Sequence, residues 1–242
     1  MGKAFIPQWR HCQGRAVVPK GGKIRKSDGG KAAGSERLFV ALELPAFVKR
    51  SLEKLQADIR SDTRASADDS VFPARWSAPE DIHLTLAFLG DVLVPADDTV
   101  PGEIHEALSF AVERFSPVTL RAAGLSVFPG VRRARVLWTG TGGETDRLAQ
   151  LQARVANHLE AVGFPREKRR FTPHLSLARF KGDADPEIVL SVMERHGGFS
   201  SEPFVADALQ LFQSRLTPKG PVYTALRSYP LFDGTAGGQA DV

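Results

Sequence analysis

The chain of 242 residues is 42% hydrophobic and 25% charged, as is ordinary for a globular protein, and no apolar run approaches the roughly 18 residues of a membrane span. Its formal net charge of +4 is uneven, because residues 1–35 carry eight basic residues and one acid, a formal +7, which leaves −3 for residues 36–242. The overall charge therefore gives no argument for nucleic-acid binding, and the single cysteine, Cys12, excludes an intrachain disulfide and a cysteine-based metal site.

Composition predicts one domain between two tails. Residues 1–35 are rich in glycine and lysine and show no sustained period, so we expect a disordered tail there and a second one over 234–242. Residues 36–233 then form a single domain. The basic tail lacks the apolar core of a secretory signal, and we expect a cytoplasmic protein. A transit peptide and a non-specific grip on RNA backbone are the alternatives for the tail.

The sequence of the first half of the domain predicts a strand, a helix, a second strand and a second helix, in that order. An apolar strand over 37–44 ends at Pro45, and a helix follows it. The polar, acidic residues 61–70 predict a loop, and the next strand ends at Gly90 before a loop over 91–101. The apolar stripes of the two helices are Val48, Leu52, Leu55 and Ile59, and then Ile104, Ala107, Leu108, Ala111, Val112 and Phe115.

The second half repeats this order. A long strand or strand pair is predicted over 117–128, and an apolar strand over 136–138 precedes a helix that Gly163 can cap. The stripe of that helix is Leu148, Leu151, Val155, Leu159 and Val162.

The C-terminal part predicts one more helix and a strand pair. Asp185 is suited to cap the start of the helix, Pro186 to be its first residue, and Gly197 to end it. Residues 203–213 and 221–227 predict the two strands.

One six-residue pattern occurs in both halves. The sequence His-Leu-Thr-Leu-Ala-Phe fills 83–88 and His-Leu-Ser-Leu-Ala-Arg fills 174–179, so the two histidines lie 91 positions apart. Each copy alternates polar and apolar residues as a strand does, and side chains two positions apart share one face of a strand. Each copy therefore presents its histidine and its hydroxyl residue on one face and its leucines on the other.

The repeated polar face indicates catalysis. A single histidine on a strand is more often structural, but a hydrophobic core has no use for an imidazole at two equivalent places. His83 with Thr85, and His174 with Ser176, are therefore the candidate catalytic residues, and two imidazoles suit acid–base chemistry near neutral pH. The histidines without a partner motif, expected at the surface or at helix caps, are His11, His105, His158 and His196.

These residues resemble the two-histidine (2H) phosphoesterase superfamily, and within it the bacterial and archaeal RNA 2′,3′-cyclic phosphodiesterases once named 2′-5′ RNA ligases. The resemblance includes the opening strand over 37–45, Trp76 ahead of the first motif, the flanks of both motifs, and the closing segment over 211–231. It covers about residues 37–232. It implies an α+β fold of two pseudo-symmetric lobes, with antiparallel sheets facing a central cleft and helices outside.

The resemblance also implies an activity. The family hydrolyses 2′,3′-cyclic phosphate ends of RNA to 2′-phosphomonoesters. The two motif histidines lack a third ligand at zinc spacing, and the sequence has no glycine-rich nucleotide fingerprint, so we expect no metal ion, ATP or other cofactor. By its pattern His83 is the proton donor and His174 the proton acceptor, although the sequence alone does not order them. Thr85 and Ser176 would bind the non-bridging phosphate oxygens. Serine stands at 176 where the family more often has threonine, and this keeps the hydroxyl.

Three further residues are candidate substrate contacts. Arg179 matches a family arginine that contacts phosphate, with a plain surface arginine as the alternative. Ideal strand alternation would point Arg179 away from His174, so a bulge or a strand end is required between them. Phe88 and Phe128 can stack a terminal base, and core packing explains them equally well. The residues that can guide RNA backbone or form a solvated charge run are Arg132, Arg133, Lys168, Arg169 and Arg170.

The sequence leaves two other functions open, and it does not distinguish RNA ends from the small cyclic nucleotides or 2′-5′ oligoadenylate on which other branches of the family act. The same chemistry run in reverse would join tRNA halves through a 2′-5′ bond, and a protein of this kind can also bind RNA ends with little turnover. Intact histidines and hydroxyls favour the enzyme, because binding alone does not require two titrating groups. In each case the expected partner is RNA with 2′,3′-cyclic phosphate termini, tRNA fragments among them, and we expect a monomer with no membrane or metal partner.

Overall fold

A computed structural model of the chain describes residues 34–66, 72–94, 100–217 and 220–232. The two predicted tails lie outside the described residues, except that residues 34 and 35 already belong to the first strand. The helices and strands in chain order are β1 (Gly34–Leu42), α1 (Ala46–Ser66), β2 (Ala74–Trp76), β3 (Leu84–Val94), α2 (Gly102–Val112), β4 (Val118–Phe128), β5 (Val136–Gly143), α3 (Thr145–Ala161), β6 (Leu175–Phe180), α4 (Pro186–His196), β7 (Phe204–Ala206), β8 (Ala208–Thr217) and β9 (Gly220–Pro230).

The strands form two antiparallel sheets. The first has the order β3-β1-β8-β9 and the second the order β2-β6-β5-β4-β7, so each sheet holds one motif strand, β3 or β6. Each half of the chain contributes at least one strand to the sheet that holds the other half's motif strand. Strand β2 precedes the first motif in the chain but pairs with β6, and the C-terminal hairpin β8-β9 joins β1. The predicted α+β architecture with two antiparallel sheets is confirmed, and this exchange ties its two lobes together.

The helices also cross between the halves of the chain. Helix α3 follows β5 of the second sheet, yet it packs with α2 beside strand β3 of the first sheet. Helix α1 follows β1 of the first sheet, yet it packs with α4, which contacts β4 of the second sheet. The predicted apolar stripe of α1 is buried, and so is that of α3 except for Val162, with Leu52 and Leu151 at 0% exposure. Val162 follows the end of α3 and is only partly buried. Among the described residues, no helix has the length and apolar character needed to cross a membrane.

Helix α1 is longer than predicted. It extends to Ser66, into the segment 61–70 that predicted a loop. The polar residues there have partners on another helix, because the Asp62 carboxylate lies 3.0 Å from His196 Nε2 at the end of α4. Thr63 is buried, and its hydroxyl donates to the Ile59 carbonyl. A helix–helix contact therefore uses the residues that indicated a loop, and His196 is a pairing residue rather than a lone surface histidine.

Strand β3 also continues past its predicted end at Gly90. It runs to Val94, because β1 begins at Gly34 and offers pairing partners up to that residue. Gly90 has a φ of 76°, a conformation in which glycine carries no steric penalty. The start of α4 follows its prediction, since the Asp185 side chain accepts from the Glu187 backbone N–H.

A truncation tests the predicted boundary of the domain. Removing residues 1–33 is expected to leave a cooperative thermal transition at the temperature of the full chain, because the first described strand begins at Gly34. The matched control removes residues 1–42 and with them the central strand β1. Its buried Leu38, Val40 and Leu42 each contribute about 1.5–3 kcal/mol, so this chain is expected not to fold. Loss of the transition in the shorter truncation would show that the tail is structural.

Candidate active site

The two motif strands place their polar residues in one cleft. The first leucine of each motif, Leu84 and Leu175, is fully buried, so the residues on either side of it point to the opposite face. All four candidate catalytic residues line a single cavity of about 590 Å³. They are His83, Thr85, His174 and Ser176. The face predicted from the alternation is thus the face that the structure turns to this cavity.

The two imidazoles are held in the same way. The Nδ1 atom of His83 lies 2.8 Å from the Asp81 carbonyl oxygen, and the Nδ1 atom of His174 lies 2.8 Å from the Thr172 carbonyl oxygen. In both cases the carbonyl belongs to the residue two positions upstream. A carbonyl oxygen only accepts, so Nδ1 carries the hydrogen and Nε2 is the nitrogen free to exchange a proton.

Aromatic rings surround both imidazoles. His83 stacks on Phe39 with ring centroids 4.7 Å apart and meets Tyr223 edge-on at 5.0 Å. His174 meets Phe128 edge-on at 5.2 Å and Trp138 at 6.0 Å. These rings fix the orientation of each imidazole and shield part of it from water.

This enclosure shifts both histidines toward the neutral form. Burial lowers the pKa of His83 to about 4, although its hydrogen bond to the Asp81 carbonyl opposes the shift. The charges of Lys49 and His174 lower the pKa of His83 further. Burial also lowers the pKa of His174, against its bond to the Thr172 carbonyl. Both imidazoles are therefore mostly neutral at pH 7 while the cleft holds no substrate.

These shifts predict a pH profile. Acid–base catalysis by two histidines needs one charged and one neutral imidazole, and with both pKa values below 6.5 that form is most abundant at acidic pH. We expect kcat/KM to peak below pH 6.5 and to fall about tenfold per pH unit above the higher pKa. The profile is measured from initial rates at low substrate concentration across pH 4.5–8.5. A kcat/KM that rises through pH 7–8 would contradict the prediction.

A bulge turns Arg179 into the cleft. Leu137 of β5 faces Ala178 and the next residue, Trp138, faces Ser176, so Leu177 is an extra residue in β6. Beyond this bulge the alternation reverses, and Arg179 lines the same cavity as Ser176. Of the two features expected between His174 and Arg179, a bulge or a strand end, the structure has the bulge.

The first motif strand has the equivalent bulge. Val40 of β1 faces Ala87 and the next residue, Ala41, faces Thr85, which leaves Leu86 as the extra residue in β3. Phe88 is consequently 53% exposed and lines the cleft. The residue five positions after each motif histidine therefore faces the cleft in both halves.

Phe128 packs against a neighbouring ring and also borders the cleft. Its ring stacks on Trp138 at 4.6 Å, yet it also lines the cleft beside His174. Phe88 and Phe128 both border a second cavity of about 690 Å³, which shares Thr85 and His174 with the first. Three of the predicted basic residues, Lys168, Arg169 and Arg170, line this second cavity. Arg132 and Arg133 line neither cavity.

Arg75 is a cleft residue that the sequence does not predict. Arg75 of β2 lies directly opposite Arg179 of β6, and both line the cavity that holds the histidines. Two guanidinium groups that line one cavity favour the binding of an anion there. No signal in the sequence marks Arg75, because the pairing of β2 with the second sheet decides where it lies.

Comparison with known proteins agrees with this geometry. A family model described as the 2′-5′ RNA ligase superfamily matches residues 74–217. The RNA 2′,3′-cyclic phosphodiesterase of Aeropyrum pernix is 34% identical over 154 residues, which is 64% of this chain and 84% of that protein. The enzyme of the same name from Archaeoglobus fulgidus is 32% identical over 197 residues, 80% of this chain and 99% of that protein.

Solved structures share the fold. A crystal structure of a Thermus thermophilus protein covers 82% of this chain and 99% of its own with a TM-score of 0.60 and 27% identity. The crystal structure of Escherichia coli LigT complexed with 3′-AMP covers 82% of this chain and 99% of its own, with a TM-score of 0.59 and 24% identity. The architecture is that of the LigT-like 2H phosphoesterases. The chain belongs to the 2′-5′ RNA ligase superfamily, whose model covers more than half of it.

Proposed function

We propose that this protein is an RNA 2′,3′-cyclic phosphodiesterase that opens the terminal cyclic phosphate to a 2′-phosphomonoester. One observation carries the proposal: two imidazoles from opposing sheets share a cavity, and each is held through Nδ1 by the carbonyl two residues upstream. Curated relatives at 32–34% identity carry the same name. The chemistry proposed needs neither a metal ion nor ATP.

The reaction is an in-line displacement at phosphorus. Water attacks the cyclic phosphate, the bond from phosphorus to the 3′-oxygen breaks, and the 2′-phosphate remains. The attacking water must lose a proton while the departing 3′-oxygen gains one on the opposite side. His174 takes the first proton and His83 gives the second in our assignment, and each transfer is worth about 10²–10⁴ in rate.

The substrate itself prepares the acid. His83 has a pKa of about 4 without substrate, so at neutral pH it must be protonated as the substrate binds. An anionic phosphate between the two imidazoles favours their charged forms and raises both pKa values. The acid is therefore formed in the complex, at the place where the leaving oxygen needs its proton.

Hydroxyls and guanidinium groups hold the phosphate. Thr85 and Ser176 donate to the non-bridging oxygens, on which charge grows in the transition state. Arg179 is turned to the same cavity by the bulge at Leu177 and binds the phosphate as a planar, permanently charged donor. Phe88 and Phe128 take the terminal base by stacking, which suits bases of any sequence.

The proposal extends to the biological setting. The substrates are RNA ends with 2′,3′-cyclic phosphates, tRNA fragments among them, and the protein acts as a cytoplasmic monomer. A single cysteine, Cys12, suits a reducing compartment. One domain over residues 36–233 carries the activity, and the segments outside it are not required for turnover.

A panel of RNA substrates tests the function. A short RNA with a 2′,3′-cyclic phosphate end is incubated with the protein, with and without a second RNA bearing a 5′-hydroxyl, and the products are resolved on a denaturing gel. Conversion to a phosphomonoester in both reactions supports the hydrolase. A joined product at the expense of hydrolysis makes the protein a ligase. Retention of unchanged RNA on the protein makes it a binding module.

A further inference from the structure

The second cavity is larger than a terminal cyclic phosphate requires. At about 690 Å³ it lies within the size of pockets that enclose a whole ligand, about 300–1,000 Å³. It is continuous with the reacting centre, because Thr85 and His174 line both cavities. Its floor is the surface of α3 at Ala153 and Ala156, whose small side chains leave room for a ligand.

The wall of this cavity is basic. The segment 166–170 lines it with four basic residues and one acid, although the domain as a whole carries more acidic than basic residues. Arg166 is paired with Glu160 on α3 at 2.8 Å. Lys168 and Arg170 are exposed on the cavity wall. A site with aromatic rings at its mouth and cations along its wall fits a nucleotide joined through a phosphodiester.

We infer that this cavity is a subsite for the nucleotide on the 5′ side of the cyclic-phosphate terminus, and that Lys168 and Arg170 bind its phosphodiester. The inference rests on the proposed function and deepens it. RNA enters along the wall formed by 166–170, its terminal base lies between Phe88 and Phe128, and its cyclic phosphate reaches the histidines. The enzyme thereby prefers an RNA end over a free cyclic nucleotide.

Two substrates separate this subsite from the reacting centre. We compare kcat/KM for adenosine 2′,3′-cyclic monophosphate and for the dinucleotide ApA with the same cyclic end. The wild type is expected to favour the dinucleotide at least about tenfold, the effect of one charge-assisted contact. In Lys168→Gln,Arg170→Gln the preference should fall to about twofold or less. The control Arg132→Gln,Arg133→Gln, which changes two basic residues outside both cavities, should keep it.

The outcomes distinguish this inference from the function itself. A wild type that treats both substrates alike, or a variant that loses both activities by the same factor, overturns the subsite. A wild type that turns over neither substrate overturns the proposed function. Because the readout is a ratio within one protein sample, a variant that is partly unfolded still reports correctly.

A second inference comes from two glutamines, Gln56 and Gln152, for which the sequence predicts no role. Gln56 of α1 is buried, and its Nε2 atom donates to the carbonyls of Ser77 and Leu177 at 2.9 Å each. Gln152 of α3 donates through Nε2 to the carbonyl of Leu86 at 3.3 Å. Leu177 and Leu86 are the extra residues of the two bulges. Each bulge is thus held by a glutamine from a helix that belongs to the other half of the chain.

We propose that Gln56 is a positioning residue that keeps the second bulge formed and so keeps Arg179 facing the phosphate. The bulge reverses the alternation of β6 between Ser176 and Arg179, and a strand that regained ideal pairing would turn Arg179 out of the cleft. Gln152 does the same for Phe88 through the bulge at Leu86. The two glutamines thus support the two motif strands in equivalent ways, one from α1 and one from α3.

A double-mutant cycle tests the positioning role. Gln56→Met keeps the length of the side chain and removes its donors, and we expect kcat/KM to fall by about tenfold or more because the arginine is misplaced. In an Arg179→Ala background the same change should cost less than about twofold. Equal losses in both backgrounds mean that Gln56 acts only on stability, which overturns the proposal. Should Gln56→Met not fold, the cycle is run with the half-buried Gln152→Met against Phe88→Ala.

Discussion

Replacing His83 or His174 by alanine is expected to lower turnover of cyclic-phosphate RNA by about 10²–10⁴-fold, with the fold retained. Each variant removes one of the two proton transfers, and the remaining imidazole has no partner that reaches the other side of phosphorus. Single-turnover rates with excess enzyme measure the loss without interference from product release. Both side chains line an open cavity, so their removal leaves no closed void in the core.

A third histidine provides the matched control. His196 ends α4, pairs with Asp62 of α1 and lines neither of the two cavities. His196→Ala should lower the melting temperature and leave the rate per folded molecule unchanged. Turnover at the wild-type rate in His83→Ala or His174→Ala would remove the acid–base assignment. A melting temperature lowered only in those two variants would instead make the motif histidines structural.

The hydroxyl residues are expected to show the next largest effect. Thr85→Val and Ser176→Ala each remove one donor to a non-bridging oxygen, and loss of such a donor typically lowers kcat by about 10²–10³. KM should change much less, because the charge on these oxygens grows in the transition state. Steady-state kinetics on a short RNA with a cyclic-phosphate end separate the two parameters.

The serine of the second motif offers its own control. Ser176→Thr restores the residue of the first motif and keeps the hydroxyl, so its kcat should stay within about threefold of wild type, with the methyl group limiting the rotamers. An effect of Ser176→Thr as large as that of Ser176→Ala would show that side-chain shape matters at this position and the hydroxyl does not.

Local pattern was enough to predict much of this fold. Alternation identified the motif strands and the face of His83 and His174, and helical spacing identified the buried stripes of α1 to α3. Strand parity, together with the phosphate contact that the family resemblance implies for Arg179, required a bulge or a strand end between His174 and Arg179. These features depend on residues close together in the chain, which is why a single sequence predicts them.

The features that the sequence does not predict depend on contacts between residues far apart in the chain. Helix α1 extends past residue 61 because Asp62 meets α4, and Arg75 enters the cleft because β2 joins the second sheet. The low pKa of His83 comes from burial against Phe39 and Tyr223, which belong to other strands. None of these contacts produces a periodic pattern in the sequence from which it could be predicted.

The most direct test of the account is the identity of the product. RNA with a 2′,3′-cyclic phosphate end is incubated with the protein in EDTA and without ATP, beside the His83→Ala,His174→Ala double variant, and the product is compared with 2′- and 3′-phosphate standards by chromatography. We predict a 2′-phosphate made by the wild type alone. A 3′-phosphate would show that the bond from phosphorus to the 2′-oxygen breaks instead of the bond to the 3′-oxygen. A 2′-phosphate from the double variant, or no product from the wild type, would contradict the two-histidine mechanism.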